Sequence, residues 1–470
     1  MKFVNVLFVV LLYCTHLSAQ VTLPNNLYFT HIGVEDGLCQ NTVCCILQDH
    51  LGFIWLGTKD GLTRYDGYRF RVFKHDAADP MSIGNNFIRV LYEDADGLIW
   101  IGTNVGVYIY NPETENFRKF DVATERGDVI SREVSSIKCD SSGDLWIGVN
   151  WQGVFRYDRR DESLELYEPV PGDTTSLSSV HVWDLCFDGD GNLWVGSQNG
   201  GLDRYDRETD RFVRHRLKGL SDVSRIVLDK QNQLLLGTMK DGLFSFNPYM
   251  GTCQPLLLDS GHKDLFVRAI FVRNSREVVV GTENGIYIYD CVTRKTRHVN
   301  QELGNPYSLS CKAVYSIYCD KEGALWIGTY FGGVNYLPPS SSLIFDKFYP
   351  IGHSDRLSGK AVREFVRDES GIIWIGTEDQ GLNRFDPVSG KFTHYNSRNS
   401  GLSCDNVHGL CVDGDRLYIG TFFGGFNIMD LKTNEIVALG SQMLPDDSVF
   451  SIFRDHDGRI WVGLTYGLCL

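Results

Sequence analysis

Methionine is scarce in this chain, 6 of 470 residues, and proline is limited to 13. There is no Gly-x-Ser-x-Gly elbow to present a nucleophilic serine and no Gly-x-x-x-x-Gly-Lys loop to cradle phosphates. The 12 histidines show neither His-x-His nor His-x-x-x-His spacing, so metal catalysis finds no support. The 13 cysteines include no Cys-x-x-Cys pair and no compact framework spacing, which argues against a zinc site or a disulfide scaffold. Basic residues are outnumbered, 45 to 59, giving a formal net charge of −14 with no basic cluster to override it. Such a surface repels phosphate backbones, so nucleic acid is not an expected partner. No catalytic residue, metal ligand or cofactor site is nominated.

Beyond the N-terminus no run of 18 apolar residues occurs, so a membrane span is not expected in the body of the chain. The N-terminus itself reads as a secretory signal peptide over residues 1–19. Lys2 supplies the positive start, Phe3 to Tyr13 the apolar stretch, and Leu17-Ser18-Ala19 a small residue ahead of Gln20. An uncleaved anchor is the alternative.

What is abundant is glycine, 48 residues, and aromatic side chains, 12%. Glycine serves tight turns and aromatics pack on pleated surfaces, a balance suited to many short strands. One signature recurs: a hydrophobic strand ending in Asp, a turn with Gly, Trp-Ile-Gly-Thr, then Gly-Leu or Gly-Val and an aromatic. Its anchor glycines are Gly57, Gly102, Gly148, Gly196, Gly237, Gly281, Gly328, Gly376, Gly420 and Gly463, between 41 and 48 residues apart. The second copy shows four strand patterns, Ile88 to Glu93, Ile99 to Thr103, Gly106 to Asn111 and Asn116 to Phe120. Four antiparallel strands with a period near 45 is a propeller blade. The expected fold is all-β, a seven-bladed β-propeller over 20–342 followed by an incomplete second β-propeller over 343–470 with three blades present. Pro338-Pro339-Ser340-Ser341-Ser342 marks the break. A strand near 27–32 is expected to complete the seventh blade so that no edge stays open. The chain stops within its tenth blade, so it is expected to be the truncated N-terminal part of a longer protein.

The repeat also absorbs several local motifs. Cys139, Cys186, Cys319 and Cys411 share one place in the unit and are expected to be small core residues. Asp94-Ala-Asp-Gly97, Asp188-Gly-Asp-Gly191 and Asp455-His-Asp-Gly458 resemble calcium loops but lack the helices and the closing Glu, and tight turns account for them. What remains is the face where loops vary while the scaffold repeats. Exposed aromatics beside amides there suit a sugar, by stacking and hydrogen bonding. The candidate ligand-binding residues are Asn150, Trp151, Gln152, His181, Trp183, Tyr330 and Phe331. Alternatively, Trp151 and Tyr330 merely cap the packing between blades.

The units Gly-Phe-Ile-Trp-Leu-Gly-Thr-Lys-Asp-Gly-Leu-Thr-Arg-Tyr-Asp at 52–66 and Gly-Ile-Ile-Trp-Ile-Gly-Thr-Glu-Asp-Gln-Gly-Leu-Asn-Arg-Phe-Asp at 371–386 resemble the two-component regulator propeller repeat. The opening Phe29-Thr-His-Ile-Gly-Val-Glu-Asp-Gly-Leu38 is similar to that of hybrid two-component sensors of glycan-degrading gut bacteria. The resemblance implies a periplasmic sensor region that binds an oligosaccharide and signals as a homodimer in the full-length protein. It also implies attachment to the inner membrane, through a span beyond residue 470 or the N-terminal segment, and a histidine kinase on the far side. Residues 1–470 show no kinase motif, so enzyme activity is not expected of them. An interaction scaffold and, more remotely, a carbohydrate-active propeller enzyme are the alternatives.

Overall fold

The computed structural model describes residues 22–470 apart from 25, 218–219, 221, 257–264, 340–346, 349, 351–355 and 440–443. The signal peptide expected over 1–19 and the serines of the Pro/Ser run lie outside the described residues. The protein is all-β: the described residues form ten antiparallel sheets, nine of four strands and one of three, with a 3-10 turn at Val34–Asp36. The second sheet is typical. Its strands are Ile88–Glu93, Ile99–Thr103, Gly106–Asn111 and Asn116–Lys119, ending one residue short of the expected Phe120. The Phe120 N–H nonetheless donates to the Val107 carbonyl at 2.9 Å, so the ladder runs on without an extended residue.

The chain divides into two compact units, one running to residue 344 without 302–306 and one comprising 302–306 with 345–470. In the first unit seven sheets follow one another around a ring. The first strand of each packs on the first strand of the next, and Val43–Gln48 of the first sheet packs on Val314–Cys319 of the seventh. Thr30–Ile32 supplies the outermost strand of that seventh sheet, pairing Thr30 with Tyr336, His31 with Asn335 and Ile32 with Val334. The N-terminal segment thereby clasps the ring. Phe29 just before this strand is fully buried with Leu309 and Leu337.

Two devices explain the repeated signature. In seven of the ten sheets among the described residues, the Asp after the first strand accepts from backbone N–H groups of its turn and from the indole N–H six residues on. Asp94, for example, takes Asp96 N and Leu98 N at 3.0 Å and Trp100 Nε1 at 2.8 Å. Its carboxylate is thus consumed by the turn, and the same holds for Asp188 with Trp194 at 2.8 Å and Asp455 with Trp461 at 2.9 Å. The indole then fills the space between blades, as Trp146 does against Tyr205 of the next sheet, ring centroids 4.7 Å apart. The second device is the anchor glycine. A Cβ there would come within 2.6–2.9 Å of Ile88 (from Gly57), Val134 (from Gly102), Val182 (from Gly148), Val223 (from Gly196), Val267 (from Gly237), Val314 (from Gly281) and Val43 (from Gly328). Six of these open the first strand of the neighbouring blade and Val223 stands two residues before it, so the missing side chain lets consecutive blades touch and the series returns to its start.

The second unit repeats this construction in sheets of Val362–Arg367 to Lys391–Tyr395, Val407–Asp413 to Ile436–Ala438, and Val449–Arg454 to Gly467–Cys469. It exposes Phe365, Phe453 and Leu468. All cysteines among the described residues are free; Cys186 and Cys411 are buried and Cys139 and Cys319 half-buried on their strands.

Candidate ligand-binding site

The first strand of a blade borders the ring axis, and in six of the seven blades of the first unit its register slips near its start. The pairs flanking the slip are Val43/Cys45, Ile88/Val90, Val134/Ser136, Val182/Asp184, Val267/Ala269 and Val314/Ser316. A bulge leaves one residue unpaired and re-aims its side chain. Those residues are Cys44, Arg89, Ser135, Trp183, Arg268 and Tyr315, and Ser224 follows Val223 at the same place in the fifth blade. Chemistry varies most where the scaffold frees the side chain.

Around this end of the channel the bulge residues and their neighbours form a chain of ring and cation contacts. Trp183 meets Phe266 edge-on with centroids 6.4 Å apart, and the Arg268 guanidinium lies 3.8 Å from the Phe266 ring and 4.6 Å from Tyr315. Tyr315 packs on Tyr330 at 5.1 Å, and Lys59 Nζ sits 4.1 Å over Tyr330 while donating to its hydroxyl at 2.9 Å. Lys59 also faces Phe87 at 5.6 Å, and Arg89 covers Phe87 at 4.0 Å. Two carboxylates temper the charge: Glu133 pairs with Arg89 at 3.1 Å and Glu283 with Arg268 at 2.5 Å. Asp184 is held by Ser136 Oγ at 2.9 Å and the Ile226 N–H at 3.1 Å. Burial pushes the Cys44 thiol up to about 11, while Arg89, Lys59, Arg225 and Arg268 each pull it back. Arg225 joins the same arc through its Nε, which donates to the Arg268 carbonyl at 2.6 Å, so four blades each contribute a cation to this side of the ring.

The residues nominated from sequence fall into three places. Asn150, Trp151 and His181 form one cluster: His181 Nδ1 and Asn150 Oδ1 are 3.2 Å apart, and the Trp151 indole stands edge-on to His181 at 4.0 Å. Trp151 is 66% exposed and held at φ 71°, a conformation an aromatic residue adopts only under constraint, here the bond from its N–H to Val180 O at 2.9 Å. Gln152 is occupied with the scaffold, donating to Val129 O and accepting from Ser131 N, both at 3.0 Å. Tyr330 and Phe331 pack edge-on at 4.3 Å on the seventh blade, with Phe331 72% exposed. Trp183 belongs to the bulge ring, and its indole N–H is buried without a partner among the described residues. Sequence reasoning missed Phe87, Arg89, Arg225, Phe266, Arg268 and Tyr315. For Arg89, Arg268 and Tyr315 the signal was present: aligning the blades on the residue before the slip shows the next position varying from Cys to Arg, Ser, Trp and Tyr. Phe87 and Phe266 precede that residue and Arg225 lies two past Val223, so the alignment does not single them out.

A second concavity lies on the outer seam of the clasp. It is a groove of about 580 Å3 lined by His31, Tyr65, Tyr68, Phe70, Trp326 and Tyr336. In the third and fourth blades an arginine after the third strand reaches back to the turn Asp of the preceding blade, Arg159 to Asp94 at 3.2 Å and Arg207 to Asp140 at 3.0 Å. Gly67 occupies that place in the first blade, and the seam stays open. No group of three or more His, Cys, Asp or Glu among the described residues is arranged to hold a metal ion.

The sequence pattern of the two-component regulator propeller matches at residues 37–60, 82–105, 176–199, 308–331 and 443–466. The chain carries two-component regulator propeller repeats. Each matched segment spans a first strand, its turn, the second strand and the loop after it; four lie in the first unit and one, 443–466, in the second. Histidine kinase P4 of Formosa agariphila is 39% identical over 59 residues, 13% of this chain and 4% of that one. Two solved structures share the fold. One is described as the extracellular domain of a hybrid two-component system, BT3049 of B. thetaiotaomicron, with TM-score 0.66, 22% identity, and 94% of this chain and 71% of that one covered. The other is the extracellular domain of BT4673 from the same organism, with TM-score 0.58, 21% identity, and 94% and 65% covered. No helix among the described residues is long and apolar enough to cross a membrane.

Proposed function

We propose that this regulator propeller is the periplasmic sensing region of a hybrid two-component sensor, and that the channel mouth of its first ring recognises an oligosaccharide. It hands the bound state to a histidine kinase, acting as a homodimer in the full-length protein and doing no chemistry on its ligand. The repeats and the fold shared with extracellular domains of hybrid two-component systems support the sensing role. The observation that carries the ligand reading is the arc from Trp183 through Phe266, Tyr315 and Tyr330 to Phe87, flanked by the exposed Trp151 and Phe331. Flat aromatic faces stack on the C–H faces of sugar rings, while the guanidinium and amide groups between them bond the hydroxyls. A rigid blade scaffold presents these groups without ordering a loop on binding, which keeps the entropic cost low.

The test is calorimetric titration of the 470-residue chain with a panel of oligosaccharides, repeated with Trp183→Ala and Tyr330→Ala. Removing one stacking ring is expected to weaken a hit by about tenfold or more, each tenfold being about 1.4 kcal/mol. Unchanged affinity in both variants overturns the placement of the site, and a product released from any hit overturns the non-catalytic role.

A further inference from the structure

The cations at the channel mouth stand against the acidity of the whole chain, whose net charge is −14. Two of the four are neutralised, Arg89 by Glu133 and Arg268 by Glu283. Lys59 and Arg225 have no carboxylate partner among the described residues. The Lys59 ammonium spends one donor on the Tyr330 hydroxyl at 2.9 Å, leaving two of its three free. Its sequence neighbour Asp60 does not neutralise it, being engaged by Lys74 at 2.5 Å and by the Asn86 amide at 3.0 Å. Arg225 gives Nε to the Arg268 carbonyl at 2.6 Å and one terminal nitrogen to the Ser224 carbonyl at 3.4 Å. Neither acceptor is charged, and most of the Arg225 fork remains open.

Unpaired half-buried cations that converge on one channel are costly for a protein to hold, because each loses hydration without gaining a counter-charge. The buried indole N–H of Trp183 is a further donor with no acceptor among the described residues, and an unmet buried donor opposes folding. An acidic ligand offers the counter-charge that both cations lack and an acceptor for the indole N–H. We infer that the saccharide recognised here is an acidic one, carrying a carboxylate or a sulfate that seats between Lys59 and Arg225 and accepts from Trp183. This inference rests on the saccharide reading of the same site and adds the charge of the ligand to it. The aromatic arc takes the sugar rings, and the two cations select for the acid.

The experiment is calorimetry on the 470-residue chain with three probes of equal length: a neutral oligosaccharide, a uronate-bearing one and a sulfated one. An acidic probe is expected to bind at least tenfold more tightly than the neutral one. Which acid binds better distinguishes carboxylate from sulfate. Lys59→Gln and Arg225→Gln are each expected to weaken the acidic probe by about tenfold, the size of one lost charge-assisted hydrogen bond, and to weaken the neutral probe by a clearly smaller factor. Arg225→Lys is expected to recover part of the loss. Raising salt weakens only the acidic probe in the unmodified protein, so the inference stays testable even if a variant fails to fold. Neutral and acidic probes binding equally, with no salt dependence, overturns the inference and leaves the saccharide reading standing. No binding by any of the three overturns both.

Discussion

Replacing Asp203 with asparagine should stabilise the first ring at neutral pH and do little in acid. Asp203 lies on the third strand of the fourth blade, fully buried. Its Oδ2 accepts the Ser178 N–H at 2.9 Å and the Ser178 hydroxyl at 2.6 Å, whereas Oδ1 has no partner among the described residues. In the seventh, eighth and ninth blades the corresponding residues are Asn335, Asn383 and Asn427. Each accepts a serine N–H on Oδ1, from Ser310, Ser358 and Ser403, at 2.8–3.0 Å. Their amide nitrogens find carbonyl acceptors that a carboxylate cannot bond, for example the Ser358 carbonyl at 3.2 Å from Asn383 and the Ile419 carbonyl at 3.4 Å from Asn427. Burial raises the Asp203 carboxyl from 3.8 to about 6, the Ser178 bonds only partly opposing it. A folded-state value above the unfolded one means that the ionised form opposes folding. The destabilisation is therefore absent below about pH 3.8 and complete above about pH 6. Two pH units at about 1.4 kcal/mol each give about 3 kcal/mol at pH 7.5. Urea unfolding followed by tryptophan fluorescence at pH 7.5 and pH 4 measures this directly. Asp203→Asn should raise the midpoint clearly at pH 7.5 and leave it nearly unchanged at pH 4. An equal shift at both values, or a loss at pH 7.5, would refute the reasoning.

Three other outcomes follow from the packing. Gly102→Ala should cost several kcal/mol, because the new Cβ falls 2.5 Å from Val90 and 2.6 Å from Val134, neither of which can retreat from a strand; thermal unfolding checks it. Phe29→Ala should cost about 3–5 kcal/mol by emptying a fully buried site in the clasp, and should lower protection of the Val334–Leu337 amides in hydrogen exchange. The second unit should bind an exposed-hydrophobe dye through Phe365, Phe453 and Leu468, and the triple serine variant should lose that signal.

Most of the architecture is legible in the sequence because it is written ten times over. The Asp-to-Trp bond and the anchor glycine are short-range rules with fixed spacing, so each copy corroborates the others. The two degenerate blades, with Leu235 and Val279 in place of the indole, still pack because the requirement there is apolar volume. The clasp was readable from the likeness of its flanks to the start of the second unit, and Thr30–Ile32 does pair with Val334–Leu337. The candidate site was legible only in part. Loop residues such as Trp151 and Tyr330 stand out as aromatics where a turn needs none. Arg89, Arg225 and Arg268 lie inside strands and look like ordinary alternation. For Arg89 and Arg268 only the slip in register, a property of two strands together, sets the side chain apart; Arg225 pairs with Gly237 in regular register and carries no such mark.

The measurement that bears most directly on the account is a structure of this chain soaked with an acidic oligosaccharide that binds it. Density is expected at the channel mouth, with a sugar face on Tyr330 and the acid group between Lys59 and Arg225. Density instead in the seam groove, against Tyr65, Tyr68 and Trp326, would contradict it.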